Sequence, residues 1–214
     1  MINLSKLNRQ EAVRYMGGAK TEIDESTSAL IDLCEIELLK TVNPKYLYKE
    51  IDLPNDTFLK GNDINAHLSG CHKAIIMCAT LGADVDRLLR TLQITDMAKA
   101  VITDALASVA IEQVGSQFDS IIASEYDGLY LTFRFSPGYG DYPIEMQSVF
   151  LNHLDAQRKI GLCTNSSFLL TPTKSITAIM GISHKKPEQK RIGCASCNLN
   201  KTCKFRKAGS HCGF

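Results

Sequence analysis

The segment FRFSPGYGDYP, Phe133 to Pro143, places one arginine and two tyrosines where proline and glycine exclude helix and strand. Arg134 ends a run of strand-forming residues, so a rigid element carries its guanidinium. A planar guanidinium captures a carboxylate or phosphate through two parallel hydrogen bonds. Gly138 and Gly140 let backbone groups approach a ligand closely. Tyr139 and Tyr142 add flat faces and hydroxyls. The set suits a small zwitterion that carries a flat heterocycle. It equally suits a tight turn bearing a surface arginine.

Glu112 is the only charged residue between Ala105 and Phe118. It shares a helical stripe with Ala98, Val101, Ile102, Ala105 and Val109, which predicts a partly buried carboxylate. Burial demands a partner. A ligand ammonium or ribose hydroxyls would serve, and so would an internal cation such as Arg134.

Four more candidates crowd the C-terminus. Cys194, Cys197, Cys203 and Cys212 are separated by two, five and eight residues. Four thiolates at such spacing close around zinc or an iron–sulfur cluster. His211 is an alternative ligand, and free or redox-active thiols are the other reading. Cys34, Cys71, Cys78 and Cys163 are scattered and read as small buried hydrophobes. His67 and His72 flank Cys71 beside a glycine turn, as a site or as structure. Lys174 and Ser175 follow Pro172 at a turn, where a lysine is ordinarily solvated. No Ser-His-Asp spacing, phosphate-binding glycine loop or dinucleotide fingerprint is present.

The elements that must position these residues follow from pattern. Of 214 residues, 44% are hydrophobic, enough for one real core. Helices are predicted from Lys6 to Gly18, from Asp24 to Asn43, over ADVDRLLRTL after Gly82, and from Ile94 to Ile122 with Thr95 or Asp96 near its cap. In the second, Leu30, Leu33, Ile36, Leu38 and Val42 mark the apolar face. KYLYKEIDL alternates as a strand, KAIIMCATLG reads as a buried strand, and GLYLTFRF as a third. Pro143 opens a helix to about Ile160, and SSFLLTPTKSITAIMGI reads as a hairpin about Thr171 to Lys174. The order points to an α+β fold with a mostly antiparallel sheet.

The net charge of +1 conceals an asymmetry. Lys185 to Phe214 hold eight Lys or Arg against Glu188 alone, a net +7, which leaves −6 on residues 1–184. The expected organisation is an α+β domain over 1–184 and a basic, cysteine-rich tail over 185–214. A basic tail favours an anionic partner or is simply solvated. A nucleic-acid-binding protein with a zinc tail is the alternative from a different class, disfavoured by the acidic body and the lack of aromatic–basic alternation. AIIMCATLGA is too short to cross a bilayer, and no apolar leader opens the chain, so a cytoplasmic protein is expected.

RFSPGYGDYP at 134–143, with LDAQRKIGLCTNSSFLLTPTKSITAIMGISH ending at 184, resembles the activation domain of cobalamin-dependent methionine synthase. The likeness is best from about Ala79 to His184. It implies a C-shaped domain with a twisted, mostly antiparallel sheet bracketed by helices, binding S-adenosylmethionine. Position by position, it implies that Arg134 holds the methionine carboxylate and that the backbone of Ser136 and Gly138 meets the adenine. Tyr139 would line the adenosyl site, and Glu112 would be a polar contact. The family's Asp-Trp-Thr-Pro segment, whose aspartate meets the ligand amine, has no counterpart here. Asp52 is the weak substitute. The family's aromatic near Met180 is also missing.

The implied role is that of a methyltransferase component. It would serve reductive methylation of the cobalamin on a separate methionine synthase or another corrinoid protein. A flavodoxin- or ferredoxin-like electron donor would complete the set, with the tail as its docking point or its iron–sulfur or zinc centre.

Overall fold

The computed structural model describes residues 2–17, 23–187 and Thr202. Residues 185–214 were expected to form the metal-binding tail. Its Cys194, Cys197, Cys203, Cys212 and His211 lie outside the described residues.

In chain order the elements are α1 (Arg9–Tyr15), α2 (Glu25–Thr41), β1 (Lys45–Asp52), α3 (Asn62–His67), β2 (Lys73–Thr80), α4 (Ala83–Thr95), α5 (Met97–Glu125), β3 (Tyr130–Leu131), α6 (Met146–Leu154), α7 (Ala156–Ile160), β4 (Cys163–Thr164), β5 (Leu170–Thr171) and β6 (Ser175–Ser183). The main sheet is antiparallel with strand order β1-β2-β6-β3. This is the α+β architecture expected.

The apolar run of β2 has a direct cause. The strand is interior to the sheet and covered on both faces. Ile75, Met77 and Ala79 join the core with α1, α2, α4 and α5. Ala74, Ile76 and Cys78 join the second core with α3, α6 and α7. Alternate side chains of one strand therefore feed two opposed cores, and no polar face remains.

The 29-residue α5 spans one core, and its cap is as expected. Asp96 accepts from the Lys99 amide at 3.1 Å. Its predecessor α2 departs from expectation. Leu33 and Ile36 are 59% and 53% exposed, while Ile31, Cys34, Glu35 and Leu38 are buried. The buried face lies one residue round from the assumed stripe. Glu35 fits there because it accepts from the Leu7 amide at 2.8 Å and Arg9 Nε at 2.7 Å.

Three predicted elements change. GLYLTFRF is ladder-paired only at β3 and at an isolated bridge, Phe135 with Ile179. The helix after Pro143 breaks into α6 and α7 at Asp155, which is left-handed at φ 55°. The hairpin about Pro172 is absent, because β5 pairs with β4 while β6 pairs with β2 and β3. Among the described residues, no helix is long and apolar enough to cross a membrane.

Candidate functional site

The site begins at a defect in the ladder. Leu131 pairs with Ile182, and the Thr132 amide donates to Gly181 O at 2.9 Å. Phe135 and Ile179 then exchange two hydrogen bonds of 2.9 Å. The registers differ by one residue, so Phe133 and Arg134 together oppose Met180. This is a β-bulge, a device that re-aims a side chain.

His67 pins it. Its Nε2 lies 3.0 Å from Phe133 O and 2.9 Å from Thr132 Oγ1, which accepts from the Gly181 amide at 2.7 Å. The ring packs against Phe133 and Phe135, with centroids 4.4 and 4.9 Å away. Burial lowers the imidazole to about 4. At neutral pH it is uncharged and donates Nε2–H to the carbonyl, since a carbonyl can only accept.

Beyond the bulge, Phe135 enters the α3–α6 core, and Arg134 crosses to α5. Glu112, Gly115 and Asp119 rise along one face of that helix, with the guanidinium laid over Gly115. A Cβ at 115 would overlap Nη1 and stand 2.9 Å from Nη2. Nε lies 3.1 Å from both Asp119 oxygens. Only the Oδ2 contact has hydrogen-bond geometry, so among the described residues the buried Oδ1 has no hydrogen-bond partner. Burial raises the Asp119 carboxyl above its ordinary range, and the adjacent arginine only partly offsets this. Nη2 is 3.6 Å from Glu112 Oε2, a charge contact and not a hydrogen bond.

Glu112 therefore meets the expected internal cation, and it is less buried than the partly buried carboxylate expected. Its side chain is 56% exposed. The stripe used to place it borders the buried face, and Val101 on the same stripe is 52% exposed. A residue seven positions on has also rotated by about 20°. The more buried carboxylate is Asp119, which the sequence reading missed together with Gly115. The available signal was a glycine inside a long apolar helix, one turn from each of two acids.

The loop that follows is anchored from within. The Gly138 amide donates to Tyr142 O at 2.9 Å, Tyr139 N to Ser136 O at 3.2 Å and Tyr142 N to Tyr139 O at 2.9 Å. The backbone of Gly138 was expected to meet the adenine, and its N–H is taken up by the turn. The loop docks on the start of α3. The Asp141 carboxylate accepts from the amides of Asn62 at 2.7 Å and Asp63 at 2.9 Å, and Asp63 accepts from Asp141 N at 3.0 Å. These backbone donors lower Asp141 below the usual carboxylate range. Gly140 adopts φ 55°, and the Asp63 carboxylate fills the place of its missing Cβ. Tyr142 is buried and donates to Phe58 O at 3.0 Å, so it is an anchor. Tyr139 is 51% exposed, and its ring is 6.3 Å from Phe135.

Glu112 also ends a groove of about 640 Å³ along the N-terminal half of α5. Met97, Val101 and Ser108 line one wall, and Thr173 to Ile176 the other. Lys174, expected to be solvated, is only 13% exposed. Its Nζ donates to Asp104 O at 3.1 Å and Ser108 Oγ at 2.9 Å and pairs with Asp104 Oδ1 at 2.8 Å.

Other expected residues fall elsewhere. Asp52 ends β1, three strand spacings from β3, which is about 14 Å, so it cannot serve the Arg134 site. His72 stacks on His184 at 4.2 Å, while His67 is buried against Phe133 and Phe135. Cys34 and Cys78 are buried thiols, as expected, while Cys71 and Cys163 are half-buried. Among the described residues, no group of three His, Cys, Asp or Glu is placed to hold a metal ion.

No protein-family model matches the sequence, and no curated protein matches it. Among solved structures, the fold is similar to the crystal structure of the MetH reactivation domain bound to AdoHcy. The TM-score is 0.54 with 16% identity, over 80% of this chain and 69% of that chain. The likeness extends to the fold.

Proposed function

We propose that this chain binds S-adenosylmethionine and presents its methyl group to a corrinoid on a separate protein, as a reactivation subunit for a methionine synthase. The observation that carries the reading is Arg134. A bulge turns it out of the sheet onto α5, with its outer nitrogens beside an exposed carboxylate and a rigid glycine-tyrosine loop next in the chain. The fold likeness to a reactivation domain bound to AdoHcy supports it.

The residues present fit such a ligand. Arg134 takes the α-carboxylate. Glu112, half in solvent and 3.6 Å from Nη2, can turn to the ammonium or the ribose hydroxyls. Tyr139 offers an exposed ring to the adenosyl group. Because the Gly138 amide is spent, any backbone contact to the base falls to the remaining groups of Ser136 and Gly138. When bound, the sulfonium supplies the methyl group, and a corrinoid reduced by one electron from a separate donor accepts it. This chain's residues bind and orient the ligand and move no proton, so their contribution is positioning.

Titration calorimetry of the full chain with S-adenosylmethionine and S-adenosylhomocysteine tests the reading. Arg134→Ala is expected to weaken both tenfold or more, about 2 kcal/mol. A wild-type chain that binds neither compound refutes it.

A further inference from the structure

Arg134 is gripped from one side. Asp119 holds Nε at 3.1 Å, while Glu112 stands off at 3.6 Å from Nη2. Gly115 leaves the space in which the guanidinium lies. With Nε occupied, the paired Nη groups remain as the end-on fork, which matches the two oxygens of one carboxylate. An arginine side chain has several soft torsions, and without Asp119 its nearest counter-ion would be Glu112. The guanidinium would then swing along α5 and out of line.

We infer that Asp119 is the positioning residue that clamps Arg134 and aims its Nη pair at the ligand's α-carboxylate. This rests on the S-adenosyl reading above. Asp119 touches no ligand and acts through Arg134. Its own surroundings argue for a role beyond stability. Among the described residues, one oxygen is buried without a hydrogen-bond partner, which costs the folded state. The carboxyl is also raised by burial despite the adjacent cation. The site therefore selects ligands that carry an amino-acid carboxylate over nucleosides that lack one.

Two ligands separate the roles. S-adenosylhomocysteine carries the amino-acid end, and 5′-methylthioadenosine lacks it. In the full chain, Asp119→Ala is expected to weaken the first about tenfold and leave the second unchanged. Asp119→Glu is expected to recover part of the loss. In an Arg134→Ala background, Asp119→Ala is expected to cost nothing further, because the two residues act as one unit. Equal weakening of both ligands, or additive losses in the double variant, overturns the assignment and leaves a structural ion pair. If methylthioadenosine binds too weakly to measure, the double-variant cycle decides alone. If Asp119→Ala does not fold, Asp119→Asn keeps the shape, removes the charge and carries the same comparison. Wild type that binds S-adenosylhomocysteine, with Asp119→Ala binding it equally well, overturns the assignment alone. Wild type that binds neither compound overturns the underlying reading and the assignment with it.

Discussion

Gly115 is the residue on which the position of Arg134 turns. A helix interior disfavours glycine by about 1 kcal/mol relative to alanine. Here the missing Cβ makes room for the guanidinium. Gly115→Ala separates the two effects. The obstructing atoms are the far end of a flexible side chain, so the fold can yield by releasing Arg134. Thermal unfolding is expected to show little net change, the helix propensity gained by alanine offsetting the loosened Arg134–Asp119 pair. Calorimetry is expected to show S-adenosylhomocysteine affinity falling as in Arg134→Ala. A variant that unfolds early, or binds normally, contradicts this placement. Arg134 itself was legible from type and position, because arginine at a strand end before a Pro-Gly loop is an unusual expenditure of charge. Its partner was only half legible. Glu112 was identified as the acid facing an internal cation, but Asp119 makes the shorter contact. Helix periodicity says which residues share a face, and it does not say where along that face a side chain from another element lands.

At the scale of elements, the bulge, α3 and the loop form one unit. His67 pins the bulge from α3, and the loop docks on the start of the same helix. This coupling has a pH signature. The unfolded chain binds a proton at His67 near 6.5, whereas the folded chain resists it until about 4. Acidification from about 6.5 toward 4 therefore favours the unfolded chain. His67 is expected to cost up to about 3 kcal/mol of stability across that window, with no effect above it. Chemical denaturation of wild type and His67→Gln at pH 7 and pH 4.5 checks this. The difference between the two pH values should be smaller in the variant. An identical pH dependence would show that His67 is not buried as a neutral ring. The failed hairpin at Pro172 belongs here too. Strand-like pattern was correctly read on both sides of the turn, but pairing is a choice among partners. β6 finds β2 and β3, while β5 finds β4.

At the scale of the whole molecule, an acidic body carries a strongly basic C-terminal stretch with four cysteines. We propose that these thiolates hold zinc or an iron–sulfur cluster beside a surface for an acidic electron donor. Elemental analysis and an absorbance spectrum of anaerobically purified full chain are expected to show bound zinc without colour, or iron with visible absorbance. Zinc alone would remove the tail from the electron path, and a metal-free chain would refute the metal proposal.

What local chemistry dictates, the sequence by itself determined: the α+β class, the buried strand at β2, a cap of α5 at Thr95 or Asp96, and an arginine set at the edge of a glycine-rich loop. Each follows from residue type and near-neighbour spacing. Only the tertiary structure decided that a one-residue bulge sends Arg134 to α5, that Gly115 makes its bed and Asp119 its clamp, and that β1 and Asp52 stand on the far side of the sheet. Those outcomes depend on contacts between residues distant in sequence. Their free energies are settled by which strands pair and which face of a helix meets them, and no run of neighbouring residues encodes that choice alone.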